Sequence, residues 1–206
     1  MPRLGFSRDD FRIFEIEGFS VRMQQIAEHL QPRLTRLGNE LAPELARKLH
    51  MEFFPHVAKH LRRSVNPPHE TWAAWGPSPR GYKRYAYLAL CVSSAGLHAR
   101  VIVKSEADAR PEMARRLRAK SSEFERGFRG TRVADYQTWD FVRQPRPEPV
   151  NVEMLEAVAD SLDKKTGGID LGFGWPIGES LRLDHAELLD AYAELEPLYR
   201  VLRSVV

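Results

Sequence analysis

"TWAAWGPSPRGYKRYAYLALCVSSAGLHARVIVK", Thr71 to Lys104, alternates aromatic and aliphatic runs with turn-forming clusters, and its reading decides the fold. "TWAAW" and "YAYLALCVSS" have strand length and strand composition, and "LHARVIVK" follows across Ala95-Gly96. Two or three antiparallel strands joined by a tight turn are therefore expected. The loop between the first two, "GPSPRGYKR", combines proline and glycine with Arg80, Lys83 and Arg84, so it brings positive charge to one edge of the hairpin. Cys91, the lone cysteine, sits inside an apolar strand, where a buried small hydrophobe is expected and not a nucleophile.

Upstream the spacing turns helical. "SVRMQQIAEHL" offers Ser20 as an N-cap and sets Met23, Ile26, Ala27 and Leu30 on one stripe. Pro32 interrupts, and Leu34, Leu37, Leu41, Leu45 and Leu49 carry the pattern onward. Two or three helices are expected, with Gly38-Asn39 as a joint and Pro43 in a first turn. In "FPHVAKHLRRSVNPP", Pro55 suits a helix start. Val57, Leu61 and Val65 would form its apolar stripe, with His56, Lys59, His60 and Arg63 opposite. Asn66-Pro67-Pro68 would end it, because a residue before proline is pushed out of the helical region.

Downstream, "PEMARRLRAKSSEFERGF" reads as an arginine-rich amphipathic helix, "YQTWDFV" as a strand and "RQPRPEP" as a connector that starts no regular element. "NVEMLEAVADSLDKKTGG" has Asn151 as a cap and Gly167 as a stop, and "IDLGFGWPIG" is a strand with glycine interruptions. Asp184 and Glu187 form a capping-box pair for a final helix that Pro197 should kink or break near Glu196. The fold class that results is α+β, a single domain over residues 1–206. It has a largely antiparallel sheet packed with helices, a helical N-terminal segment and a C-terminal helix.

The chain has 206 residues with 43% hydrophobic and 29% charged, enough for one well-formed core and unlike a disordered chain. No apolar run approaches the ~18 residues of a membrane span. "MPRLGFSRDDF" has no signal-peptide core, so the cytoplasm is the expected address and no membrane partner is expected. A lone cysteine fits a reducing compartment. The net charge of +3 is unevenly spread. From Phe53 to Ser105 eight cations (Lys59, Arg62, Arg63, Arg80, Lys83, Arg84, Arg100, Lys104) face one acid, Glu70, while the rest of the chain is net acidic. Segregation of this kind points to a basic surface or pocket with an anionic partner.

"FSRDDFRIFEIEGFSVRM", "QPRLTRLGNELAP", "FPHVAKHLRRSVNPP" and "RGYKR", in that order, resemble the YktB-like family of small bacterial proteins. The resemblance implies a compact α+β domain in a bacterial cytoplasm, and it carries no catalytic assignment. It marks Phe54 to Pro68 and Arg80 to Lys83 as the place to look for a site.

Several chemistries compete for those residues. His56 and His60 have the i, i+4 spacing of a metal pair, but "HVAKH" has valine where HExxH hydrolases place glutamate, and Lys59 with Arg63 would repel a cation. No metal and no cofactor is expected. An anion explains the cations better: Arg62 or Arg63 offers a two-pronged donor, Lys59 a point charge, and Arg80 with Lys83 would converge if their loop folds back. The expected ligand-binding set is His56, Lys59, His60, Arg62, Arg63, Asn66, Arg80, Tyr82 and Lys83, with Tyr85 as a further donor. The competing plain reading is a solvated face with internal ion pairs. A histidine of this stretch is the natural general acid or base should there be catalysis. Ser64 lacks an activation pattern, and "GESL" at Gly178 to Leu181 is not a nucleophile elbow. Neither a P-loop nor a GxGxxG fingerprint is present. Best fitted is a small phosphorylated or carboxylated molecule. The alternatives are nucleic acid held by "ARRLRAK" and the aromatic-basic loop, or a structural or regulatory module without a ligand. The last would use the stripe Leu188, Leu189, Tyr192, Leu195, Leu198, Tyr199 and Leu202 as a homodimer contact, though core burial explains that stripe equally well.

Overall fold

The structure is a computed structural model that describes residues 2–61, 64–128, 130–141 and 144–203. Its strands are β1 (Phe54–Val57), β2 (Glu70–Gly76), β3 (Ala86–Ser93), β4 (Gly96–Val103), β5 (Arg132–Asp135), β6 (Glu148–Pro149) and β7 (Ile169–Pro176). Among the described residues they form one sheet in the order β1-β2-β3-β4-β7-β5-β6, every neighbouring pair antiparallel. The helices are α1 (Arg8–Arg12), α2 (Phe19–Gln25), α3 (Gln31–Leu49), α4 (Arg110–Gly127), α5 (Val152–Asp163), α6 (Ile177–Ser180) and α7 (His185–Leu202). The α+β class, the three strands of residues 71–104 and the flanking helices agree with the sequence reading.

Period-2 alternation gives the sheet two different faces. Trp75, Leu88, Leu90, Val92, Leu97, Val101 and Val103 point to the side covered by α3 and α7, where the main apolar core lies. Trp75 ties these layers together, its indole donating to the Gly38 carbonyl of α3 at 2.9 Å and its ring meeting Tyr192 of α7 edge-on at 5.7 Å. The opposite face carries Ala74, Tyr87, Ala89, Cys91 and Ile102, with Tyr82 packed on them, and it also buries His98, Arg100 and Asp170.

Several local expectations are corrected. Residues 19–49 run nearly continuously instead of breaking at Pro32. Ile26–Leu30 forms a π-turn between α2 and α3, which accommodates a proline that has no N–H to donate back. Ser20 lies within α2, whose N-cap is Gly18. Gly38 is no joint: it packs α3 closely on β1 and β2, where a Cβ would lie 3.4 Å from that of Pro55. α3 passes through Pro43 and α7 through Pro197, because both helices bury long apolar stripes whose packing outweighs the ~3 kcal/mol of an interior proline. The α7 stripe from Leu188 to Leu202 is wholly spent on the core. Residues 136–141 of "YQTWDFV" are not a strand but an irregular strap after β5, and the connector contributes the two-residue β6. The Asn151 cap, accepting from the Met154 N–H at 2.8 Å, and the Asp184–Glu187 capping box form as expected. Among the described residues no helix is long and apolar enough to cross a membrane.

Candidate functional site

The segment expected as a helix from Pro55 is strand β1. His56 pairs with Ala74 and Val57 with Ala73, and the Ala58 N–H still donates to the Trp72 carbonyl at 3.0 Å before the chain turns away. The helical stripe fails on burial as well, since Leu61 and Val65 are 85% and 75% exposed. The chain leaves the ladder through His60, which takes the left-handed conformation at φ 52°.

The two histidines have separate surroundings and do not share one helical face. His56 Nε2 lies 2.9 Å from the Ser78 carbonyl and its ring packs on Tyr82 at 5.1 Å. His60 Nε2 is 3.1 Å from the Thr71 hydroxyl, with its ring edge-on to Trp72 at 5.4 Å. Among the described residues no group of three or more His, Cys, Asp or Glu side chains is placed to hold a metal ion.

The loop from Pro77 to Tyr85 folds back over the same face. Gly76 has no side chain, and a Cβ there would lie 2.9 Å from that of Tyr82, so the ring of Tyr82 reaches in to meet Tyr87 at 4.7 Å. Its hydroxyl accepts from the Trp72 indole at 3.1 Å, and burial pushes its pKa up to about 12, so it stays a neutral phenol. Arg84 Nε donates to Asp108 at 2.8 Å and pins the end of the loop.

Two cavities result, and Tyr82 and Lys83 line both. The first, about 510 Å³, is lined by Val57, Lys59, His60, Leu61, Trp72, Tyr82, Lys83, Lys104 and Glu106. The second, about 480 Å³, is lined by His56, Ser78, Arg80, Gly81, Tyr82, Lys83, Arg84 and Tyr85. Of the expected residues, Lys59 and His60 thus fall in the first cavity, His56 and Arg80 in the second, and Tyr82 and Lys83 in both. Asn66 is exposed and lines neither, and Arg62 and Arg63 lie outside the described residues. Sequence reasoning missed Trp72 and Lys104 as lining residues. The signal was present in the alternation, which puts Trp72 on the face opposite Trp75.

Behind the first cavity lies a buried charge cluster that the count of local cations concealed. Arg100 of β4 is 1% exposed, opposite Gly172, which has no side chain, and Ala89, which has only a methyl, so there is room for it. Its Nη2 donates to Glu70 at 2.6 Å and its Nη1 lies 3.4 Å from both Asp170 oxygens. The guanidinium stacks under the strap, 4.1 Å from the Tyr136 ring centre and 5.5 Å from that of Trp139. Lys104 links cluster to cavity, with Nζ 3.7 Å from Asp170 and 6.0 Å from the Trp72 ring. Burial raises the Asp170 carboxyl, against the pull of Arg100 and Lys104, and burial together with Arg100 holds His98 well below its ordinary value. Cys91, fully buried, has its thiol pushed up by burial and stays a packing group, as expected. Ser180 of the "GESL" segment is structural, donating to the Trp175 carbonyl at 2.6 Å and accepting from the Leu97 N–H at 3.0 Å.

With this geometry in hand, comparisons with known proteins place the chain. The profile of a domain of unknown function, DUF1054, matches residues 6–199. A UPF0637 protein of Lysinibacillus sphaericus is 32% identical over 98% of this chain and 97% of its own length. Another, from Bacillus velezensis, is 37% identical over 63% of this chain and 62% of its own. One from Oceanobacillus iheyensis is 42% identical over 40% of each. The motif resemblance to the YktB-like family therefore holds, and the chain belongs to the bacterial family that carries this domain of unknown function.

Proposed function

We propose that this protein binds a small phosphorylated or carboxylated molecule in the cavity between the end of β1 and the loop of Pro77 to Tyr85. One observation carries the reading. Lys59, Lys83 and Lys104, from three separate segments, line a single cavity of about 510 Å³ in which, among the described residues, Glu106 is the one carboxylate. Cavities of this size take metabolite-sized ligands. Three ammonium groups supply charge without the fixed fork of an arginine, so they suit an oxyanion approached from several sides. Trp72, Tyr82 and Val57 give the rest of the wall an apolar character, which fits a ligand whose body is uncharged.

The test is a thermal-shift panel of sulfate, phosphate, nucleotides, sugar phosphates, carboxylates and a short oligonucleotide, on wild type and Lys83→Ala. Saturable stabilisation by a small anion, lost in the variant, supports the reading; a ligand at a hundred times its dissociation constant adds about 2.7 kcal/mol. Stabilisation by the oligonucleotide alone, falling steeply with salt, would replace it with nucleic-acid binding. A panel with no response at all refutes it.

A further inference from the structure

The cavity and the buried cluster share Lys104. In the cluster Arg100 stands between two carboxylates, Glu70 and Asp170, which leaves one negative charge in excess, and the Lys104 ammonium at 3.7 Å from Asp170 balances it. Three of these groups are secluded, with side-chain exposures of 1% for Arg100, 8% for Asp170 and 14% for Glu70, whereas Lys104 at 35% reaches the cavity wall. A buried group of this kind tolerates net charge poorly. We propose that the cavity binds oxyanions together with a proton: an anion that draws the Lys104 ammonium away leaves the Glu70–Arg100–Asp170 group negative, and Asp170 takes a proton from solvent to restore neutrality.

The groups that act on Asp170 are Arg100 and Lys104 from β4 and its end, Glu70 from β2, Tyr87 and Cys91 from β3, and Tyr136 from the strap. Tyr87, Cys91 and Tyr136 are held neutral by burial, and Arg100 stays charged between its carboxylates. Glu70 is locked to Arg100 by the 2.6 Å bond, so Asp170, with only 3.4 Å contacts to Arg100 and already raised by burial, is the proton acceptor. Binding then tightens as pH falls, because the proton is a co-ligand of the complex.

This inference rests on the proposed binding site, and two measurements separate their fates. Sulfate does not titrate near neutrality, so calorimetric titration with sulfate at about pH 6, in two buffers of different ionisation heat, reads protons taken up by the protein itself. The expected result is uptake approaching one proton per sulfate in wild type, and binding without uptake in Asp170→Asn. Sulfate binding without uptake in wild type overturns the coupling and leaves the site standing; no sulfate binding overturns the proton-coupled binding of oxyanions, and the wider anion panel then decides the site itself. The second measurement needs no ligand. In Lys104→Met, carbon-13 NMR of the Asp170 carboxyl should show its titration shifted upward by about 1 unit or more, as for a carboxylate deprived of a close cation. An unchanged titration overturns the coupling whatever sulfate does.

Discussion

The indole N–H of Trp72 donates to the hydroxyl of Tyr82 at 3.1 Å, so a strand residue and a loop residue ten positions later hold one another across the cavity wall. The bond is partly buried, and Tyr82 also packs on His56 and Tyr87. Tyr82→Phe keeps the ring contacts and removes only the acceptor, leaving a half-buried indole donor unsatisfied. The expected cost is ~1–2 kcal/mol, read from urea unfolding, with a change in tryptophan emission. Unchanged stability would mean that water replaces the phenol and that the loop is held by packing alone.

Arg100→Met tests the buried cluster. Removing the cation leaves Glu70 without its partner and Asp170 with Lys104 alone, a net negative charge in a secluded space, so the expected loss is about 3–5 kcal/mol near neutral pH. The loss should shrink as pH falls, because each carboxyl loses its charge once protonated. Denaturant unfolding of wild type and variant at neutral and acidic pH measures both effects. An equal loss at both pH values would show that the packing of the side chain under Tyr136, and not its charge, is what matters.

Much of this arrangement was legible and its failures have causes. The strands of residues 71–104 were evident because alternation and turn residues agree over a long stretch, and Asn151 and Asp184 announced their helices by capping chemistry. Pro55 to Val65 misled because Val57 and Leu61 are spaced for a helix as well as being compatible with a strand end. The deciding term was non-local, the ladder with β2 whose partners lie more than ten residues away. Pro32, Pro43 and Pro197 misled for a related reason, since local propensity lost to core packing. Arg100 shows a subtler limit: in "LHARVIVK" the alternation already set His98, Arg100 and Ile102 on one face, but only the sheet's other strands reveal that this face is covered.

His98 gives a pH dependence with a definite sign. Its ring is fully buried, 3.0 Å from the Ser93 hydroxyl and 3.4 Å from that of Tyr136, and its folded-state pKa is held well below the ordinary value by burial and by Arg100. The unfolded chain therefore binds a proton on this histidine before the folded one does. The contribution to stability is complete above the unfolded pKa of about 6.5 and is lost as pH falls below it, at up to ~1.4 kcal/mol per pH unit. Asp170, raised in the folded state, works in the opposite sense, since its contribution is lost as pH rises through the folded pKa. Replacing His98 with glutamine should flatten the loss just below pH ~6.5, visible in unfolding midpoints across that window. A variant with the same slope as wild type would assign the acid sensitivity to another group.

Gly174 is where the strap closes on the sheet. A Cβ at this position would collide with the Tyr136 hydroxyl and the Gln144 side-chain oxygen and lie 3.1 Å from His98 Nδ1. Each is held by other contacts: the Tyr136 ring lies 4.1 Å from the Arg100 guanidinium and 5.1 Å from the His98 ring, Gln144 donates to the Ala95 carbonyl at 3.0 Å, and His98 is buried. Gly174→Ala must therefore lift the strap, and overpacking of this kind costs about 1–3 kcal/mol. Lifting also moves Tyr136 and Trp139 off the Arg100 guanidinium, so a change in tryptophan emission should accompany the lost stability. Gly178→Ala is the control, because a Cβ there meets nothing within 4 Å and the residue lies in α6, where alanine is favoured. If the two variants unfold alike, the strap adapts at little cost and the cover over Arg100 is looser than its contacts imply; if only Gly174→Ala falls, the missing side chain at Gly174 is what allows the strap to seat over the charge cluster.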